Sequence, residues 1–210
     1  MTPPLTRGIP FTGPSVRAIL AGRKTQTRRI VKPQPPAEGV VLRRSGQEYG
    51  LFTEASSPGS YRVSGSVSIV REEMGDAYPP DGEWRIPYPI GTHLWVREAW
   101  RTRKMYDALP PRDVPDKPLY IMYCADGGIT IDGRYRHARF MPRRFSRISL
   151  VVTGVRVERV QAITGEDAIA EGCQSLLDFR DGWFSIHSPD SWGENPWVFA
   201  YTFRREEMRA

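Results

Sequence analysis

The sequence has 210 residues, of which 40% are hydrophobic and 26% charged, a balance that excludes a disordered chain. This length fits one globular domain with insertions or at most two small domains, and we predict one domain over residues 1–210. Its 19 Pro and 19 Gly residues favour strands and turns over a helical bundle. The formal net charge of +6 favours anionic partners such as nucleic acid or nucleotides.

The cysteines and the N-terminus bear on cofactors and compartment. Cys124 and Cys173 lie far apart and lack the paired spacing of a zinc site, so we expect reduced thiols and neither a metal nor a cofactor. The opening MTPPLTRGIPF has no apolar signal segment, and no later run is apolar enough to span a bilayer. We therefore expect a cytoplasmic protein with no membrane partner, and the sequence leaves its oligomeric state open.

The first predicted elements are a short helix and a strand. The stretch GPSVRAILAG, residues 13–22, predicts a helix with Pro14 in its first turn and Gly22 at its C-terminal end. TQTRRIV, residues 25–31, has strand character and ends near Pro33. Residues 35–88 are rich in Gly, Ser and Pro and predict a loop-rich insertion.

Two strands are predicted in the middle of the chain. In GTHLWVREAW, residues 91–100, apolar residues alternate so that Glu98 shares a face with them. A second loop-rich insertion covers residues 102–138. In RISLVVTGVRVERVQ, residues 147–161, the apolar alternation slips by one residue at Thr153 and Gly154, which indicates a bulge or a barrel corner.

The last third predicts two helices and a closing strand. ITGEDAIAEGC has Thr164 as a helix N-cap and Gly172 as the stop, LLDFRDGWFSIH is amphipathic, and NPWVFAYTFRR alternates as a strand. Strands outnumber helices and the helices are short. We therefore predict a mainly β, α+β fold: a small barrel with peripheral helices.

The octet GRKTQTRR, residues 22–29, contains four cationic side chains. Its simplest interpretation is a solvated basic strand or a phosphate contact. The alternative concerns Lys24 and Thr27, whose side chains can meet only if Lys24 precedes the strand. The charges of the neighbouring arginines favour a neutral amine at Lys24, which could then take a proton from the hydroxyl of Thr27.

Glu171 lies in the last turn of a predicted helix, where a carboxylate faces the negative end of the helix dipole. Unless an arginine compensates, such a carboxyl is expected to hold its proton and to be able to donate it. The alternative is a surface glutamate, or one paired with an arginine.

Other polar and aromatic residues receive weaker predictions. His93, His137 and His187 have neither nucleophile nor metal-ligand spacing and are assigned no role. Most tryptophans are expected in the core. RYRHARFMPRRFSR, residues 134–147, interleaves aromatic residues with arginines, which suits nucleic acid but also occurs beside a strand edge.

Five stretches together resemble the ASCH domain family, a branch of the PUA-like β-barrels, and in particular its long members from phage and prophage genomes. The stretches are AILAGRKTQTRR, LWVREAW, SRISLVVTGVRVERVQ, EDAIAEG and NPWVFAYTFRR. The resemblance implies a PUA-like barrel that binds RNA or nucleosides. Some small members are amidohydrolases that remove the acyl group of N4-acetylcytidine with a Lys-x-x-Thr pair and a glutamate.

The resemblance implies that Lys24, Thr27 and Glu171 are catalytic, with Arg28 and Glu98 as substrate-orienting residues. The predicted activity is metal-independent deacylation of N4-acylated cytidine or a related modified nucleoside. Two alternatives stay open: a non-catalytic module that binds RNA or a modified base, and a phage assembly or interaction protein. The acyl group, and whether the substrate is a free nucleoside or RNA, also stay open.

Overall fold

A computed structural model of the chain describes residues 5–32, 34, 41–44, 47–51, 61–62, 68–69, 84–116, 121–128 and 132–206. The strands are β1 (Thr6–Pro10), β2 (Gln26–Ile30), β3 (Val41–Arg44), β4 (Gln47–Leu51), β5 (Tyr61–Arg62), β6 (Ser68–Ile69), β7 (Trp84–Arg85), β8 (His93–Arg97), β9 (Trp100–Arg101), β10 (Met122–Tyr123), β11 (Ser149–Arg159) and β12 (Trp197–Glu206). The α-helices are α1 (Gly13–Leu20), α2 (Gly165–Ala170), α3 (Leu176–Ile186) and α4 (Asp190–Gly193). Short 3-10 turns occupy Lys104–Tyr106, Pro111–Asp113, Cys124–Asp126, Ala138–Phe140, Arg143–Phe145 and Val160–Ala162.

The chain divides into two compact units, each made of separate segments. The first unit contains residues 1–24, 92–151 and 204–210, and the second contains residues 25–91 and 152–203. Hydrogen-bonded neighbours give the strand order β1-β8-β11-β12-β2, with β5 also paired to β11. Strands β11 and β12 each contribute residues to both units.

In the first unit, β1 and β8 pair in parallel, with Thr6 opposite His93. The other edge of β8 pairs with the beginning of β11 in antiparallel register, with Leu94 opposite Leu150. The buried alternation of β8 continues beyond the strand through Glu98 to Trp100, as predicted from GTHLWVREAW. A second apolar cluster, Trp100, Val114, Met141 and Phe145, forms a core for the 102–138 segment and the turns after it.

In the second unit, β2 and β12 are antiparallel neighbours, with Thr27 opposite Tyr201 and Arg29 opposite Phe199. An apolar cluster joins this sheet to α2 and α3 and contains Val160, Ile163, Ala168, Phe179, Trp183 and Val198. Complete burial of a large apolar side chain contributes about 1.5–3 kcal/mol. This cluster therefore fixes α2 on the sheet.

Two local predictions are confirmed. Helix α1 has proline in its first turn and is followed by Gly22 at φ 71°, a left-handed conformation that glycine adopts without steric cost. In β11, Leu150 and Val152 are buried, Thr153 is exposed, and burial resumes at Val155, so the alternation slips where the sequence predicted.

The prediction of loop-rich insertions needs correction. Between residues 41 and 85, β3, β4, β6 and β7 form an antiparallel sheet in the order β4-β3-β6-β7. Weak alternation in a Gly- and Ser-rich segment does not identify strands that are stabilised by pairing with one another. Within 102–138, the apolar stretch LYIMYCA, residues 119–125, favours a short strand, and the structure has the two residues of β10 there. The first two residues of the stretch lie outside the described ones.

The fold is a mixed α+β arrangement with short helices. In the part of the chain that the structure describes, β1 and β2 are the two ends of the strand order, and no pair closes a barrel. The PUA-like barrel is therefore a proposal, and the single domain over residues 1–210 stays a prediction.

None of the described helices is both long enough and apolar enough to cross a lipid bilayer.

Candidate active site

Strand β2 presents different side chains on its two faces. Because side chains alternate along a strand, Arg28 and Ile30 share one face while Thr27 and Arg29 share the other. Ile30 packs against the apolar cluster of α2 and α3, and the guanidinium of Arg28 lies 5.9 Å from the ring centroid of Phe179. Arg28 therefore lies on the helix-facing side, and Thr27 on the side that carries Tyr201.

Arg28 is the centre of a buried charged network. Its Nε donates to Glu158 Oε1 at 2.8 Å, its NH1 to Glu171 Oε1 at 3.2 Å, and its NH2 to Asp167 Oδ2 at 3.0 Å. The side chain is 1% exposed, so these ion pairs are shielded from water. With all three nitrogens bound to carboxylates, Arg28 connects β2, β11 and α2. This geometry favours a role for Arg28 in positioning Glu171, rather than the direct contact with substrate that was predicted for Arg28.

Arg156 is the second cation of the network. Its Nε lies 3.3 Å from Glu158 Oε2, and its NH2 lies 3.0 Å from Asp167 Oδ1 and 3.3 Å from Gln26 Oε1. Burial acts to lower the pKa of Arg156, but the charges of Glu158 and Asp167 outweigh it and raise the pKa. The two guanidinium groups and the carboxylates of Glu158, Asp167 and Glu171 together leave a formal charge of −1.

Glu171 is positioned by the end of α2. It is the C-cap residue; its N–H donates to Asp167 O at 2.8 Å, and Gly172 follows at φ 85°, so the helix ends where the sequence predicted. Ala170 O accepts a 2.7 Å hydrogen bond from the N–H of Thr25, which attaches the start of β2 to this helix end. The side chain is buried and paired with Arg28, the arginine-bound alternative considered for it above.

Glu171 also affects the cation on the other face of β2. Burial lowers the pKa of Arg29, whereas Tyr88, Glu171 and Tyr201 act in the opposite direction. The field of the Glu171 carboxylate thus reaches both Arg28 and Arg29.

Thr27 is buried beside aromatic residues. Tyr201, opposite Thr27 on β12, packs edge-on against Tyr88 with ring centroids 5.3 Å apart. Burial raises the pKa of Tyr201 well above its ordinary value, and Tyr88 adds to this rise. Such surroundings disfavour charge, so the hydroxyl of Thr27 would need a base to become a nucleophile.

Lys24 belongs to the first unit and lies in the turn after α1. The N–H groups of Arg23 and Lys24 both bond to Ala18 O, at 2.9 and 3.1 Å. Lys24 therefore precedes β2, as the Lys-x-x-Thr hypothesis requires. Its side chain is only 5% exposed, and Nζ lies 5.8 Å from the ring centroid of Phe11. A lysine is rarely buried to this extent unless it is paired.

Glu98, the other predicted substrate residue, lies in the first unit and is fully buried. Its Oε1 and Oε2 accept bonds of 2.9 and 3.0 Å from Nε and NH2 of Arg147, which also binds Asp126 and stacks on Tyr123. Burial raises the pKa of Glu98, although Arg147 opposes the rise. Both carboxylate oxygens are bound within the protein, so the structure favours a packing role for Glu98.

Sequence reasoning missed Arg156, Glu158 and the pairing role of Asp167. No prediction was made for the polar residues of VRVER, residues 155–159, whereas in the structure Glu158 and Arg156 bond to Arg28 and Asp167. The sequence contains one signal of burial at these positions. Arg156 and Glu158 lie two residues apart on a strand face whose next residue, Val160, is apolar.

Asp167 provides a pH test of the network. Burial acts to raise its pKa, but Arg28 and Arg156 outweigh burial and hold the pKa below its ordinary value of 3.8. Its contribution to folding is therefore present above that value and is lost as pH falls through the folded-state pKa. We expect Asp167→Asn to destabilise the protein most near neutral pH, with a difference from the parent that shrinks on acidification. Urea unfolding of both proteins from about pH 7 to about pH 3 measures this, and a difference that is constant with pH would contradict it.

Within the described residues, no group of three or more His, Cys, Asp or Glu side chains is arranged to hold a metal ion. In comparisons with known proteins, no family model, curated protein or solved structure matches the chain.

Proposed function

We propose that the protein is a metal-independent amidohydrolase that removes the acyl group from N4-acylated cytidine or a related modified nucleoside. The observation that carries the proposal is the burial of three polar side chains that the sequence singled out. Lys24, Thr27 and Glu171 are 5%, 5% and 7% exposed. Burying a lysine, a hydroxyl and a carboxylate costs folding free energy, and such costs concentrate at functional sites.

The proposed reaction is acyl transfer through Thr27. Lys24 accepts the proton of the Thr27 hydroxyl, and the freed oxygen forms a bond to the amide carbonyl carbon. The bond from that carbon to the exocyclic nitrogen breaks, and Glu171 passes the proton that Lys24 accepted on to the departing nitrogen. Water then hydrolyses the Thr27 ester and returns the proton to its hydroxyl. Arg28 orients the Glu171 carboxyl through their 3.2 Å contact.

The ASCH-type PUA-like barrel is the fold that accompanies this proposal, with nucleoside or RNA as the partner. The rival function is a binding module that recognises RNA or a modified base without turning it over. One observation favours that rival: an exposed arginine- and aromatic-rich segment, described below. The first experiment is therefore incubation of purified protein with N4-acetylcytidine, with cytidine release followed by chromatography. Failure to release cytidine would leave the binding module as the better assignment.

Replacing Lys24 with arginine separates a general base from a phosphate contact. Arginine keeps the charge and binds phosphate at least as well, but it stays protonated at any working pH. We expect Lys24→Arg to lower kcat for N4-acetylcytidine by about 10²-fold. The matched control is Arg23→Lys, which changes the exposed neighbouring cation and should leave kcat near the parent value. Parent-like turnover of Lys24→Arg would remove Lys24 from the mechanism.

A further inference from the structure

The segment of residues 134–143, RYRHARFMPR, is held on the protein by side chains that point inward. Arg136 is buried, and its NH1 and NH2 donate to Leu109 O and Tyr106 O at 3.0 and 2.7 Å. Its guanidinium lies 5.2 Å from the ring centroid of Trp100, and the two residues also exchange backbone hydrogen bonds of 3.1 and 2.9 Å. The segment is therefore fixed in place.

The same anchors leave two large aromatic residues facing solvent. Ala138 and Met141 are buried along with Arg136, whereas Tyr135 and Phe140 are 53% and 55% exposed. Soluble proteins tolerate single exposed aromatic residues, but two within six residues of a rigidly held segment form a candidate binding surface. At most about 18 Å of extended chain separates them, so a single oligonucleotide can reach both.

Three exposed arginines accompany these rings: Arg134, Arg139 and Arg143. Among the described residues none of the three takes part in an ion pair, in contrast to Arg28, Arg147 and Arg156. Two nearby carboxylates, Asp107 and Asp132, partly offset the positive charge, but each accepts a bond from a backbone N–H, of Arg134 and Lys104 respectively. The guanidinium of Arg139 lies over the ring of Phe140, 5.4 Å from its centroid, so on this surface an exposed cation and an exposed aromatic ring are in contact.

We propose that residues 134–143 form a docking surface for single-stranded RNA. Bases stack on Tyr135 and Phe140, because every base has a π face, and the three arginines contact phosphates. A single strand is selected because the bases of a duplex are stacked on one another and cannot reach the rings. The choice of RNA over DNA rests on the proposed function, whereas the stacking and the phosphate contacts do not. The surface implies that the modified cytidine is presented within a strand.

The test measures fluorescence anisotropy of a labelled 20-nucleotide single-stranded RNA without acyl groups, so it does not depend on catalysis. We expect Tyr135→Ala/Phe140→Ala to weaken binding about tenfold or more. Replacing the three arginines by glutamine should reduce the slope of log affinity against log salt by about two, since each single-strand phosphate contact contributes about 0.7. Tyr135→Phe keeps the ring and should bind like the parent.

Matched control variants are available in other exposed parts of the chain. Arg180→Gln/Arg204→Gln/Arg205→Gln removes three positive charges, the same number as the triple variant of the docking surface. Leu177→Ala/Ile186→Ala removes two exposed apolar side chains. Both controls should bind RNA much as the parent does. Thermal unfolding of each variant tests its folding. Parent-like binding by the aromatic double variant, tighter binding of the duplex, or tighter binding of a DNA 20-mer would overturn the proposal. If the parent protein fails to deacylate N4-acetylcytidine but the variants show these losses of RNA binding, the proposed function is refuted and the docking surface is still supported.

Discussion

Thr27→Ala is expected to lower kcat for N4-acetylcytidine by about 10³-fold or more while leaving the fold intact. The reason is that no acyl-enzyme ester can form without the hydroxyl, and removing a nucleophile costs more than removing a group that only assists it. Substrate affinity should change little, because the hydroxyl contributes mainly to bond formation. Turnover under saturating substrate and trapping of the acyl-enzyme by mass spectrometry measure the two parts of this prediction.

The chain offers a matched control for this substitution. Thr25 lies two residues before Thr27, is exposed, and holds its place through backbone bonds to Ala170 and Phe203. Thr25→Ala should therefore leave turnover unchanged, and Thr27→Ser, which keeps a hydroxyl, should retain measurable activity. If Thr27→Ala releases cytidine as fast as the parent, Thr27 has only a packing role beside Tyr201.

Local signals account for the parts of the fold that were predicted from sequence. Helix α2 follows from the Thr164 hydroxyl, which accepts a 3.1 Å bond from the Asp167 N–H, and from Gly172 beyond its end. The slip in β11 follows from Thr153 and Gly154, which interrupt an otherwise regular apolar alternation. In both cases the determining residues lie within a few positions of the feature, so a single sequence contains the necessary information.

The parts that were missed depend on residues far apart in the chain. The β4-β3-β6-β7 sheet forms through pairing between short strands that individually carry weak patterns. Arg28 is 130 residues from Glu158 and 143 from Glu171, and Arg147 is 49 residues from Glu98. The sequence identified Glu171 as unusual because its helix position is a local property. It could not identify which arginine compensates it, because that pairing is set by the tertiary fold.

Arg28 consequently provides the strongest test of how the candidate site is built. Arg28→Met is expected to lower the free energy of unfolding by about 3–5 kcal/mol, because it removes one of the two arginines from buried Glu158 and breaks the ion pair with Glu171. The smaller effect should come from Arg156→Met, since Arg156 is partly exposed and Arg28 would still bind Glu158 and Asp167. Urea unfolding of the two variants measures the difference.

Activity distinguishes a positioning role from a merely structural one. If Arg28 orients Glu171, Arg28→Lys should stay folded, because the charge is kept, yet lose turnover, because a single ammonium cannot hold three carboxylates from β11 and α2 in the same geometry. Arg156→Lys is the matched control and should keep turnover, since Arg156 has no bond to Glu171 among those that the structure describes. Equal turnover in Arg28→Lys and Arg156→Lys would show that the network stabilises the sheet and α2 without setting the geometry of Glu171. Loss of turnover in Arg28→Lys but not in Arg156→Lys would show that the buried network positions Glu171 for the reaction.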